Sequence, residues 1–116
     1  MSIQRFGVGP RMSKAVAHGS LVFLAGQVAV EAKGQSVTEQ TKDILGQIDA
    51  LLKDAGTDKT KLISANIWLS DMKTFAEMNA VWDGWVSQGN TPARATVEAK
   101  LAAPEYTVEI AVIAAR

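Results

Sequence analysis

The feature that most limits what this chain can fold into is the stretch Asn90 to Leu101, NTPARATVEAKL. Ala93, Ala95, Val97, Ala99 and Leu101 fall on one parity, and Arg94, Thr96, Glu98 and Lys100 on the other. Successive side chains of a strand point to opposite faces, so this alternation predicts a strand with one apolar and one polar face. Asn90-Thr91-Pro92 supplies the turn chemistry that begins it. The apolar parity is expected to face the core. Periodicity alone leaves open whether the polar parity is a solvated face with weak surface ion pairs or a site.

The remaining elements fall around this strand. Ile3–Phe6 reads as a short edge strand before the loop Gly7-Val8-Gly9-Pro10, and Ala15–His18 as another, turned at Gly19-Ser20. Leu21–Val30 is the most hydrophobic run, too short and too β-branched for a helix. It predicts a strand apolar on both faces, which needs cover on both sides from helices or from a second subunit. Ser36 is placed to cap a helix, with Glu39 completing a capping box. Val37, Thr41, Ile44, Leu45, Ile48, Leu51 and Leu52 then recur at helical spacing, and Gly56 suits the left-handed end. Gly46 inside this helix suggests a close approach to a strand.

Leu62–Ser70 predicts a strand with Ile63, Ala65, Ile67 and Leu69 on one face and Ser64, Asn66 and Trp68 on the other. Phe75, Met78, Val81, Trp82 and Trp85 recur at helical spacing and read as core rather than as a stacking platform. After the Ala93 strand, Ala102–Glu105 turns the chain into a last strand, Tyr106–Ala115.

The order β-β-β-α-β-α-β-β predicts one α+β domain over residues 1–116, a mixed sheet with two helices on one face. The other face would carry Phe23 or Val22, Trp68 and Ile113. Contiguous apolar surface of that kind meets a partner, and identical subunits are the expected one. A hairpin of the last two strands would put Arg94, Thr96 and Glu98 on this helix-free face with Thr107 and Glu109. A guanidinium there could hold a carboxylate in two parallel hydrogen bonds, and a nearby carboxylate could orient water or take a proton.

Composition removes several function classes. The chain has no cysteine, which excludes disulfides, thiolate catalysis and Cys-based zinc sites. The single histidine, His18, stands beside Gly19 without triad-like partners and reads as a surface turn residue, so no metal site is expected. A formal net charge of zero gives no general attraction to nucleic acid or an anionic membrane. No apolar run approaches the roughly 20 residues that span a bilayer, and the cytoplasm is the expected compartment. Gly26-Gln27 lacks the glycine spacing and lysine of a phosphate loop.

Four separated stretches carry a resemblance. Thr91-Pro92-Ala93-Arg94-Ala95-Thr96-Val97-Glu98, followed by Tyr106-Thr107-Val108-Glu109-Ile110, resembles the C-terminal signature of the RidA/YjgF family of reactive-intermediate deaminases. Gly9-Pro10 and Leu24-Ala25-Gly26-Gln27-Val28 resemble its N-terminal signatures, and Phe75 to Trp82 its second helix, in the Trp-rich form of the YoaB-like branch. The resemblance implies a homotrimer of chorismate-mutase-like subunits, with the sheets in a central barrel and sites in the clefts between subunits. It implies hydrolysis of 2-imino acids, or their enamine tautomers, to 2-oxo acids and ammonia, with neither metal nor cofactor.

Carried over by position, Arg94 matches the carboxylate-binding arginine and Glu109 the glutamate that helps place the attacking water. Thr96 stands where cysteine is frequent and could offer a backbone contact or its hydroxyl. Gly26 matches a glycine of the N-terminal signature and Asn79 an asparagine of the helix. Two positions depart: Arg11 replaces the usual tyrosine after Gly-Pro, and Ala25 the serine before Gly-Gln. Both usual side chains lie near the ligand in the best-known branch, and an Arg11 facing the cleft would favour a more acidic substrate. The alternative function is a trimer that binds a small carboxylate metabolite without turning it over.

Overall fold

The computed structural model describes residues 2–116. The strands are β1 (Ile3–Val8), β2 (Ser13–His18), β3 (Leu21–Leu24), β4 (Gln27–Val28), β5 (Leu62–Leu69), β6 (Ala93–Glu98) and β7 (Val108–Ala115). The helices are α1 (Val37–Asp54) and α2 (Phe75–Trp85). The strands form one mixed sheet in the order β1-β2-β3-β7-β5-β6, with β4 also pairing β7. The α+β layer expected from the sequence is therefore present.

The caps explain where α1 begins and ends. Ser36 Oγ accepts the Glu39 N–H at 3.2 Å, satisfying one of the free donors of the first turn. The Glu39 carboxylate turns instead toward Lys42, 3.8 Å away. Gly56 takes φ +84° just beyond the helix, a conformation that costs a residue with a Cβ. Ile44, Leu45, Ile48 and Leu52 are fully buried against Ile67, Leu69, Val108 and Ile110 of the sheet and Met78 of α2. Each side chain of this size contributes about 1.5–3 kcal/mol on burial. Gly46 makes no close helix–strand contact; it is exposed on α1, and a Cβ there would meet nothing within 4 Å.

Three buried or half-buried polar side chains of α1 tie down the loops beside the sheet. Gln40 is fully buried; its Nε2 donates to Gln35 O and Glu105 O, and its Oε1 accepts from Thr107 N. It thereby fixes the segment that leads into β7. Asp43 Oδ2 accepts from Val30 N and Ala32 N, and Gln47 Nε2 bridges Asp43 Oδ1 to Val28 O. Burial alone would raise the Asp43 pKa, but these hydrogen bonds outweigh it and hold the carboxyl below its ordinary value.

Three local expectations are corrected. The run Leu21–Val30 is not one strand. Phe23 pairs with Ile113 and Gln27 with Ile110, so four steps on one side match three on the other (27 − 23 against 113 − 110). This bulge at Ala25-Gly26 separates β3 from β4. In β5 a register shift between Leu62 and Ser64 turns Leu62 inward and leaves Ile63 exposed, against the simple alternation.

The third correction changes the site. β6 and β7 do not form a hairpin. β6 lies parallel to β5, joined through α2, while β7 pairs β5 antiparallel on its other side. The segment after Glu98 crosses the end of β5, where Ala99 N donates to Leu69 O and Ser70 N to Thr107 O. Parallel neighbours need such a helical crossover, and the β5–α2–β6 unit provides it. Arg94, Thr96 and Glu98 are then in register with Ala65, Ile67 and Leu69, all buried on the helix-covered face. Ala93, Ala95 and Val97 point to the bare face, where Val97 is 50% exposed. The alternation was real, but its apolar parity faces away from the core of the single chain.

That bare face also carries Leu21, Phe23, Ile113, Trp68 and Glu109. Phe23 is 42% exposed. The strand expected to be buried on both sides is covered on one side only, and its outer residues are exposed.

Candidate active site in two halves

The first half lies on the helix side of edge strand β6. Arg94 Cζ sits over the rings of Trp82 and Phe75, at 5.3 and 5.9 Å from their centroids. Both rings belong to α2, seven residues apart, with Asn79 on the same stripe between them. Among the described residues Arg94 forms no ion pair, and the arginine hydrogen bonds are those of Arg116. Thr96 Oγ1 and Asn79 Oδ1 are both buried without a hydrogen-bond partner. Buried polar atoms are normally paired; these two orphans share the α2 stripe and the β6 face with the contacts of Arg94, and a third, Thr107 Oγ1, precedes β7.

The second half lies on the opposite face, at the bulge. Glu109 is in register with Val28 of β4 and Trp68 of β5. Its carboxylate approaches Gly26 so closely that a Cβ there would fall 2.1 Å from Oε2. Any side chain at that position would displace the Glu109 carboxylate from where it lies. Burial pushes the Glu109 pKa above the usual carboxylate range, with no counter-charge to offset it. Ala25 precedes Gly26, held by its N–H to Lys14 O. Arg11 is exposed in the β1–β2 loop.

The expected site residues are thus partly brought together. Arg94, Thr96 and Asn79 form one group, and Glu109, Gly26 and Ala25 another. The expectation that Arg94, Thr96 and Glu98 share the helix-free face with Glu109 is wrong, because the register with β5 turns them to the helix side. Glu98 caps the chain entering α2 by accepting Met72 N at 3.1 Å. The role of Phe75 and Trp82 beside Arg94 was missed. Their helical spacing is that of core residues, and Trp82 is indeed only 4% exposed. Only the parity of Arg94 relative to β5 could have shown that this stripe also faces the arginine.

Depressions elsewhere on the single chain contain neither Arg94 nor Glu109. One of about 610 Å³ runs between α1 and α2, and one of about 510 Å³ lies under residues 98–106. Among the described residues no group of three His, Asp or Glu is placed to hold a metal ion, and no helix is long and apolar enough to cross a membrane.

The fold defines a class of small α+β proteins with one mixed sheet, two helices on one face and a bare, apolar opposite face. The sequence model of the family described as Endoribonuclease L-PSP matches residues 3–116. A RutC family protein of Haemophilus influenzae is 46% identical over 114 residues, covering 98% of each chain. The RutC family protein YoaB of Escherichia coli K12 is 40% identical over 115 residues, covering 99% of each. The crystal structure of a YjgF family member from Neisseria meningitidis superposes with a TM-score of 0.96 at 49% identity, covering 100% of this chain and 96% of that one. The chain belongs to this RutC/YjgF/L-PSP family, the RidA/YjgF family of the sequence resemblance, on its YoaB-like branch.

Proposed function

We propose that three copies assemble through their bare sheet faces and hydrolyse 2-imino acids to 2-oxo acids and ammonia in the clefts between them. The observation that carries this reading is the separation of Arg94 and Glu109 onto opposite faces of one sheet. Neither residue is satisfied within its own chain, and a neighbouring copy can set the Glu109 half of one chain against the Arg94 half of another. Open edges at β1 and β6 and the apolar residues between them favour such an assembly.

In that cleft Arg94 holds the substrate carboxylate with its planar N–H fork. Glu109 orients a water molecule toward C2 of the imine and takes its proton. The C2–O bond forms as the C=N π pair moves to nitrogen, which is protonated. Collapse of the resulting amino alcohol breaks C2–N, releases ammonia and leaves the 2-oxo acid. A carboxyl whose pKa is raised by burial is suited to take a proton and return it to the leaving nitrogen. The family description names an endoribonuclease, but zero net charge gives this chain no electrostatic footprint for RNA, and we do not propose that activity.

The test generates imines from several amino acids with an amino-acid oxidase in the presence of semicarbazide. The wild-type protein is expected to lower semicarbazone formation, and Arg94→Ala to match the blank. A second reading is favoured by Ala25, which offers no hydroxyl beside Glu109: the trimer binds a 2-oxo or 2-imino acid without turnover. Ligand-induced stabilisation dependent on Arg94, with no diversion of the imine, would select it.

A further inference from the structure

Arg94 is half-buried, yet among the described residues no carboxylate and no carbonyl holds its guanidinium. What it has is rings. Trp82 and Phe75 lie under it at 5.3 and 5.9 Å. Trp82 is in turn packed against Trp85, ring centroids 5.3 Å apart and planes tilted by 53°. Trp85 is fixed from α1, its Nε1 donating to Asp49 Oδ2 at 3.0 Å. A continuous stack therefore runs from α1 through two tryptophans to the arginine.

We propose that Phe75 and Trp82 are positioning residues for Arg94, forming an aromatic seat that fixes the guanidinium while leaving its N–H groups free for the ligand carboxylate. This rests on the reading of Arg94 as the carboxylate-binding residue. The physical reason is the division of labour within a guanidinium. Its faces are weakly hydrated and are attracted to the electron-rich faces of aromatic rings. Its donors radiate from the edge, in the plane that matches a carboxylate. An acidic neighbour would orient the arginine equally well but would occupy those donors and neutralise the charge. Rings orient it at no cost in donors.

Asn79 Oδ1 and Thr96 Oγ1, both buried and unpartnered, lie on the same stripe of α2 and the same face of β6.

The experiment uses the assembled protein, pyruvate as the simplest 2-oxo acid probe, and NMR of the arginine side chains. In the wild type the Arg94 side-chain resonances, assigned by their loss in Arg94→Lys, should lie upfield of the other arginines because of the ring currents. Phe75→Leu and Trp82→Leu should move them back toward the others. Each should weaken pyruvate binding, by about 2–5-fold for the partly exposed Phe75 and about 10-fold or more for Trp82. Phe75→Tyr, which keeps a ring, should restore both the shift and the affinity. Phe75 is 37% exposed, so its variants remain interpretable if Trp82→Leu fails to fold. Arg94 resonances without an upfield shift, or leucine variants that bind pyruvate as the wild type does while Arg94→Ala loses it, would overturn the seat. Pyruvate binding that survives Arg94→Ala would instead overturn the carboxylate site on which the seat depends.

Discussion

The two halves of the candidate site solve opposite problems. On the edge strand, Arg94 is a charge kept available: it is half-buried, lies over two rings and spends none of its donors on the described residues. On the central strand, Glu109 is a charge made uncomfortable: Val28, Trp68 and the backbone of Gly26 crowd it, and burial raises its proton affinity. A binding group profits from permanent charge and free donors, and a group that exchanges protons profits from a charge it can readily lose. The sheet separates them.

The largest expected effect removes the proton-exchanging half. Glu109→Gln should lower kcat by about 10²–10⁴-fold, the usual worth of general acid–base catalysis, while leaving pyruvate binding nearly intact. It should also stabilise the fold at neutral pH. The folded state holds Glu109 at a raised pKa, so its ionised form opposes folding above that value. The penalty shrinks as pH falls through the raised value and is gone below the unfolded value. Melting curves should therefore show the Gln variant ahead of wild type at neutral pH, with the advantage vanishing in acid. An equal melting temperature at all pH values would mean that burial costs Glu109 nothing.

Arg94→Ala comes next. It should reduce kcat/KM by about 10²–10³-fold and abolish pyruvate binding, with the oligomer intact by sedimentation. Arg94→Lys should recover little of this, because an ammonium lacks the planar fork. Full rescue by lysine would reduce the site to simple charge attraction. Gly26→Ala is expected to depress kcat with little loss of stability in denaturant unfolding, since its Cβ would fall 2.1 Å from Glu109 Oε2 and swing that carboxylate aside. An unchanged kcat would separate the glycine from the chemistry.

The smallest effect lies outside both halves. Gly46→Ala should stabilise α1 by about 0.5–1 kcal/mol, because the position is helical, exposed and open, and should leave turnover unchanged.

The sequence carried most of the local structure, for identifiable reasons. Ser36 and Gly56 bound α1 because capping is decided within a few residues. Phe23, Trp68 and Ile113 fell on the bare face because strand parity is also local. Strand neighbourhood is not. Nothing within Ala93–Val108 says that β6 pairs β5 in parallel rather than β7 in a hairpin, and that single choice inverts the faces of Arg94 and Val97. The apolar parity of β6 looked like core because, in one chain, only the core is expected to bury apolar residues. A surface meant for another copy has the same pattern. The bulge at Ala25-Gly26 was hidden for a related reason, since its extra residue exists only relative to β7. The site residues themselves were named by resemblance, and their arrangement in two halves came from the register.

The central claim is that a working site takes Arg94 from one chain and Glu109 from another. Complementation tests it most directly. Arg94→Ala and Glu109→Gln proteins, each inactive alone, would be mixed in equal amounts, unfolded, refolded together and assayed for imine hydrolysis. Random assembly pairs an intact Arg94 with an intact Glu109 at about one site in four, so about a quarter of wild-type activity should return. Activity no higher than the sum of the two variants refolded separately, in oligomers verified to be mixed, would contradict a site shared between chains.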